Sequence, residues 1–260
     1  MQRRSVLVSV SVSVVGACAA TASLGQVVAP GRPPLIAVAA SAQQAMEALL
    51  VQFASATGQA VSASYGASGN FVRQIQQGLP AEIFMSADEE FALRLHSLGL
   101  AVDPGVVYAS GRLALMTPPG SSLALDAQLK GLQAGWGGIA KFAIANPAIA
   151  PYGKAAREVL QQVGLWESAQ AKLVLGESIA QATQFVASGS AQAGLTALSV
   201  LSAPDAAKLG RFVALPDSLH APLRQRMVLL RGAGPAAQAL YAYLQTPAAK
   251  ETFKRYGFDS

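Results

Sequence analysis

The chain carries one cysteine, Cys18, and two histidines, His96 and His220, in 260 residues. A lone cysteine closes no internal disulfide. Two histidines far apart in sequence, with no thiolates beside them, give no basis for zinc or copper chemistry. Charge is also scarce: Asp, Glu, Lys and Arg make up 13% of the residues, about half the usual share. The basic residues are scattered rather than clustered, so no nucleic-acid partner is expected. Past the N-terminal leader no run approaches 18 apolar residues, so no membrane span is expected and the mature chain should be soluble. What is abundant is aliphatic: 52% of the residues are hydrophobic, a composition that builds a compact α/β core rather than a disordered chain.

The leader itself is legible. "MQRRS" is a basic start, "VLVSVSVSVVGACAA" an apolar stretch, and small residues follow, the pattern of an export signal. Loss of Arg3 and Arg4 with it lowers the formal charge from +5 to +3. Two processing sites are open. Val15-Gly16-Ala17-Cys18 has the form of a lipoprotein box, which would leave a lipid anchor on Cys18, whereas "ATA" at 20–22 suits an ordinary signal peptidase. Paired Arg3-Arg4 is a weak twin-arginine feature. "APGRPP", residues 29–34, reads as a linker.

Strand and helix patterns then alternate. "LIAVAA" reads as a buried strand and "AQQAMEALLVQFASATG" as a helix closed by Gly58. "AVSASY", "NFVRQIQQG", "AEIFMSA" and "DEEFALRLHSLG" repeat the unit twice more. The pattern restarts with "FAIANPAIAPYG", "KAAREVLQQVGLW", "AKLVLGES", "IAQATQFVASG" and "AQAGLTALS". A strand, "RQRMVLLRG", and two helices in "PAAQALYAYLQTPAAKETFKRYGF" close the chain. Repeated β-α-β units predict mostly parallel sheets flanked by helices. The reading is α/β with two lobes: residues 1–30 are signal peptide and linker, 31–110 plus 220–260 the first lobe, and 111–219 the second. The chain is expected to cross near 108–113 and return near 215–226.

Two serines stand where a strand hands over to a helix: Ser41 after "LIAVAA" and Ser68 in "YGASGN". A serine there caps its own helix or helps to bind an anion, because a helix N-terminus carries unpartnered N–H groups and a partial positive charge. For a lone instance a cap is the ordinary reading. Both, however, lie at carboxyl ends of expected parallel strands, the edge at which open α/β sheets bind ligands. Two further helix starts, at Pro151-Tyr152-Gly153 and at Ile179 in "GESIAQATQF", allow four N-termini to converge on one small oxyanion. Neutral donors suffice for that. Ser86 in "FMSAD" reads as a cap for its following helix, Asp88 and Glu177 as dipole-favourable acids, Arg73 as a solvated or ion-paired helix residue, and Gln43 and Asn70 as groups one step removed from the site. Tyr152 reads equally as a ligand and as a packed loop ring.

The phrases "AVAASAQQAMEALLVQF", "SYGASGNFVRQIQQGLPAEIFMSAD", "NPAIAPYGKAAREVLQQVGLW" and "FKRYGF" together resemble the periplasmic molybdate-binding proteins of ABC importers, over nearly all of residues 35–258. The resemblance implies a two-lobed periplasmic-binding-protein fold with a hinge, closing on molybdate or tungstate, with no cofactor and no catalytic residue. By position it places the oxyanion contacts at Ser41, Ser68, Tyr152 and Ile179, none of them a direct metal ligand. It also implies a monomer in the periplasm that meets a membrane permease. Two departures stand out. The family's "G-I-V-Y" reads Gly194-Leu195-Thr196-Ala197, so a tyrosine hydroxyl is missing at Ala197 and would have to come from Tyr152 or Thr196. The family's tyrosine-proline before the returning strand is Gln225-Arg226.

Rival readings remain open on sequence. The same fold serves sulfate or phosphate, or has an idle pocket. A serine hydrolase needs a base for its nucleophile, and "GASGN" is not G-x-S-x-G while only His96 and His220 are available.

Overall fold

A computed structural model describes residues 33–202 and 206–259; the leader and the processing sites around Cys18 lie outside them. The elements run β1 (Leu35–Ala39), α1 (Gln43–Thr57), β2 (Ser62–Gly66), α2 (Ser68–Gln76), β3 (Ala81–Met85), α3 (Glu90–Ser97), β4 (Val106–Gly111) and β5 (Leu113–Thr117). They continue through α4 (Lys130–Gly135), β6 (Phe142–Ala145), α5 (Pro151–Gln162), α6 (Trp166–Ala169), β7 (Leu173–Gly176), α7 (Ile179–Ala187), β8 (Ala193–Ala197), β9 (Arg211–Ala214), β10 (Leu223–Leu229), α8 (Pro235–Tyr243) and α9 (Pro247–Arg255). Gly58 ends α1 in the left-handed region at φ 70°, as its position predicts. The short helices α4 and α6 and the strands β4, β5 and β9 are absent from the sequence reading: α4, α6 and β9 are too brief to show a period, and β4 and β5 run into each other at the crossing.

Among the described residues the strands form two five-stranded sheets, ordered β2-β1-β3-β10-β4 and β7-β6-β8-β5-β9. In each sheet four strands point one way. The fifth, β10 in the first and β5 in the second, runs antiparallel to both neighbours. These two odd strands belong to the connections: β4 passes to β5 through Arg112 alone, and the chain comes back from β9 to β10 over 215–222. Arg112 stands between Asp217 on the return and Asp259 at the C-terminus, at 3.7 and 3.8 Å.

Period-two alternation buries both faces of each sheet. Ile36, Val38, Ile83, Met85 and Met227 pack against α1, α8 and α9 through Met46, Leu49, Phe53, Leu240 and Phe253. The opposite face sends Ala37, Phe84 and Val228 to Phe71, Val72, Ala92 and Leu95 of α2 and α3. In the second sheet Leu113, Leu115, Phe142 and Ile144 face one core, while Ala114, Met116 and Ala143 face Val186 on the other side. A third kind of contact joins the halves. Ala39, Ala40, Ala67 and Ala87 of the first pack with Ala150, Tyr152 and Ile179 of the second. Small side chains there let backbone approach backbone.

Candidate functional site

The strand ends meet at that junction. Ala39, Ala40 and Ser41 leave β1, Gly66, Ala67 and Ser68 leave β2, and Ala87 follows β3. Ala150, Pro151 and Tyr152 open α5, Ile179 opens α7, and these residues together line one cavity of about 10 Å³. That is close to the least space that holds a water. All four residues singled out in the sequence are brought to it: Ser41, Ser68, Tyr152 and Ile179. No charged side chain lines it.

Neither serine caps its helix. Ser41 sits in a 3-10 turn, Ala40–Ala42, that leads into α1, and no side chain caps either segment. Ser68 is the first residue of α2, whose N-cap, Ala67, has no side chain to offer. Its Oγ accepts instead from the Ala87 N–H at 3.0 Å, across to the end of β3. The hydroxyl of Ser41 is buried and makes no hydrogen bond of normal geometry, although it stands beside the Tyr152 phenol. Leaving a buried hydroxyl unpaired costs on the order of 1–3 kcal/mol. Helix α5 likewise starts without a side-chain cap, with Pro151 in its first turn. Of the helices that open at the cavity, α7 alone is capped, by Ser178 Oγ accepting from Gln181 N at 3.3 Å, which leaves the first N–H groups of that helix to the cavity. The N-termini and dipoles of α2, α5 and α7 thus meet at one small neutral space, with the Gly69 N–H already given to Ile149 O and Pro151 carrying none.

The halves touch around this space through three hydrogen bonds. Ser199 Oγ donates to the Ser41 carbonyl at 2.7 Å. Gly69 N–H donates to the Ile149 carbonyl at 2.9 Å. Gln225 Nε2 donates to Tyr152 Oη at 3.0 Å. Exposed Lys154 and Glu90 add an ion pair at 3.2 Å, which contributes little in water.

Several expectations need correction. Ser86 does not cap α3: its Oγ donates to Asp88 Oδ1, and it is Asp88 Oδ1 that accepts from Phe91 N–H at the helix start. The carboxylate binds the N–H better because it is charged. Burial pushes the Asp88 carboxyl up, opposed by the Phe91 N–H and Ser86 hydroxyl. Thr196 does not reach the cavity, since its hydroxyl pairs with that of Thr183 inside the second half. The Tyr152 phenol turns to Gln225, and burial raises its pKa, partly offset by Ser199, Ser41 and Gln225. Asn70 is taken by Arg73 at 2.5 Å and Gln43 by Glu47 at 2.9 Å, both away from the cavity. The Ala87 N–H and the Tyr108–Gln225 pair escape a sequence reading, because their partners lie 19 to 117 residues away.

This arrangement, two α/β halves with a donor-lined cavity between their strand ends, is that of a solute receptor. Residues 34–259 match the family described as bacterial extracellular solute-binding protein, and the chain belongs to it. The molybdate-binding protein ModA of Azotobacter vinelandii is 40% identical over 246 residues, covering 93% of this chain and 92% of that protein. ModA of Rhodobacter capsulatus is 36% identical over 248 residues, covering 91% and 89%. The solved structure of the A. vinelandii periplasmic molybdate-binding protein matches with a TM-score of 0.80 at 33% identity, over 87% of this chain and 99% of that one.

Proposed function

We propose that this chain captures molybdate, or its analogue tungstate, outside the cytoplasmic membrane and hands it to the permease of an ABC importer. The observation that carries the reading is Ser41: a buried hydroxyl with no hydrogen bond of normal geometry, beside the Tyr152 phenol, on a cavity that several helix starts face. Such a donor gains a full hydrogen bond when an acceptor enters. Ser41 and Ser68 would give hydroxyl and backbone donors from the first half, and Tyr152 and Ile179 backbone N–H groups from the second. The relatives named for molybdate are consistent with this assignment.

The lining also bears on which anion is held. A fully deprotonated tetrahedral dianion is satisfied by donors alone, whereas a protonated phosphate needs an acceptor. The nearby carboxylate, Asp88, is committed to Ser86 and to the start of α3. The cavity as it stands has room for about one water, so a tetrahedral oxoanion enters only as the walls move outward. That is the direction of lobe opening. Residues 31–110 with 220–260 and residues 111–219 would move as bodies about Arg112 and the 215–222 return, with the anion favouring the closed state. A hydrolytic role lacks its base. Neither serine hydroxyl is hydrogen-bonded to a histidine: Ser68 Oγ accepts from a backbone amide, Ser41 Oγ stands beside the Tyr152 phenol, and His220 Nδ1 is paired with its neighbour's carbonyl, Ala221 O, at 2.7 Å. The export signal makes the periplasm the site of action, as a monomer, either free or anchored at Cys18.

Thermal unfolding tests the reading. At a concentration 100 times the dissociation constant, a ligand of the native state adds about 2.7 kcal/mol, which raises the midpoint by about 5–10 °C in a domain of this size. Molybdate and tungstate should produce that rise, and sulfate and phosphate at equal concentration should not. Equal shifts with sulfate would move the assignment to the sulfate class, and no shift with any of the four would remove the anion reading.

A further inference from the structure

We propose that Tyr108, Gln225 and Tyr152 form a latch that holds the lobes shut, and that the Tyr152 phenol serves affinity through this latch and not by touching the anion. The affinity part of the proposal rests on the anion-binding function above; the latch itself does not. Gln225 is fully buried on β10, in the first sheet, and Tyr152 is 1% exposed on α5, in the second half. The single O–H of Tyr108 on β4 stands 2.7 Å from Gln225 Oε1 and 3.2 Å from the Ser86 carbonyl, and its shorter bond, to Oε1, fixes the amide from its own side. The other end of the amide reaches across to Tyr152 Oη. One bond from the amide therefore spans the lobes, and one, from Tyr108, holds its first-lobe end in place.

The space for this bond is provided by Gly111, the last residue before the crossing. A Cβ there would overlap the Tyr152 hydroxyl and stand 2.6 Å from Gln225 Nε2. Gly111 has no positive φ, so glycine is needed at this point for room and not for backbone freedom. A polar side chain with no exposure on a returning strand would be costly without partners. Its partners are complete only when the second lobe is docked, which makes the closed arrangement the one that satisfies the amide. Burial keeps both phenols protonated above their usual range, so the link holds throughout neutral pH.

A bond made in the closed state alone raises the closed fraction and, with it, apparent affinity. Gln225→Met keeps the volume of the side chain and leaves Tyr108 its Ser86 carbonyl. Tyr152→Phe keeps the ring and the backbone N–H at the cavity. Each should weaken molybdate binding by about two- to tenfold in calorimetric titration, and the double variant should lose no more than the worse single one. The second readout is hydrogen exchange at the Gly69 amide, which is paired across the lobes with Ile149 O. In buffer alone both variants should exchange this amide faster than wild type, with the β1 and β6 amides unchanged. A merely structural role would instead loosen β10 and its neighbours throughout. Binding lost in Tyr152→Phe but retained in Gln225→Met would mean that the phenol acts on the anion directly, and would overturn the latch. So would additive losses, or unchanged exchange at Gly69. If wild type binds no molybdate, the functional reading fails by itself, and exchange at Gly69 in buffer still decides whether the latch exists.

Discussion

Replacing Ser41 by alanine should stabilise the empty protein slightly and cripple the loaded one. The hydroxyl is 2% exposed and makes no hydrogen bond of normal geometry, so its removal lifts a desolvation cost and gives up only a polar contact with the Tyr152 phenol. In the complex the same hydroxyl donates to a charged oxygen, a contact contributing about 1–3 kcal/mol. The expected signature is an unchanged or raised unfolding midpoint without anion, together with a dissociation constant larger by about 5- to 150-fold. Ser68→Ala should lose binding to a similar degree but with the opposite effect on the empty protein. Its Oγ is the acceptor for the Ala87 N–H, which would be left unpaired, so the midpoint should fall. Paired calorimetry and thermal unfolding on the two variants check both signs. A Ser41→Ala protein that is destabilised when empty and binds normally would show that the hydroxyl has a structural partner and no part in the anion site.

Gly69→Val should abolish tight binding while leaving the empty fold intact. A Cβ at Gly69 would stand 2.9 Å from the Ile149 carbonyl oxygen, 3.0 Å from the Phe91 ring and 3.1 Å from Ile149 Cα. Two of those three contacts belong to the opposite half, so they arise only on closure. Within its own half, α2 accepts a valine near its start once the Phe91 ring gives way by a few tenths of an ångström. Forcing the bulkier side chain into a closed junction costs about 1–3 kcal/mol, and the Gly69 to Ile149 hydrogen bond would be strained with it. The unfolding midpoint without anion should therefore stay near wild type, whereas the rise on adding molybdate should largely vanish. A full rise in Gly69→Val would mean that the anion does not draw these two segments together.

How much of this is written locally explains what a sequence reading can reach. Alternation of strand and helix is a short-range pattern, so the two halves, the Gly58 stop and the strand-end positions of Ser41 and Ser68 are all legible. The cavity is legible to the same extent, because four helix starts at strand ends must share an edge of the sheets. Which hydroxyl bonds to what is another matter. Ser68 looks like a cap until β3 delivers the Ala87 N–H to it, and Ser86 looks like one until Asp88, two residues on, takes the position. Gln225 is the plainest case. Flanked by Arg224 and Arg226 in a polar-looking stretch, it gives no local sign that it is fully buried. The two tyrosines that explain it lie 117 and 73 residues away. Tyr152 is ambiguous for the same reason: its neighbours Pro151 and Gly153 suit a ligand and a packed ring equally, and only the returning strand supplies Gln225 as a partner for the phenol.

The most direct test of the central claim is a crystal structure grown with molybdate, with diffraction recorded at the molybdenum absorption edge. One anomalous peak is expected, in the cavity between the ends of β1 and β2 and the starts of α5 and α7. Its oxygens should lie within hydrogen-bond reach of the Ser41 and Ser68 hydroxyls and of the Tyr152 and Ile179 N–H groups. A peak elsewhere on the molecule, or none at saturating anion, would contradict the assignment of this cavity.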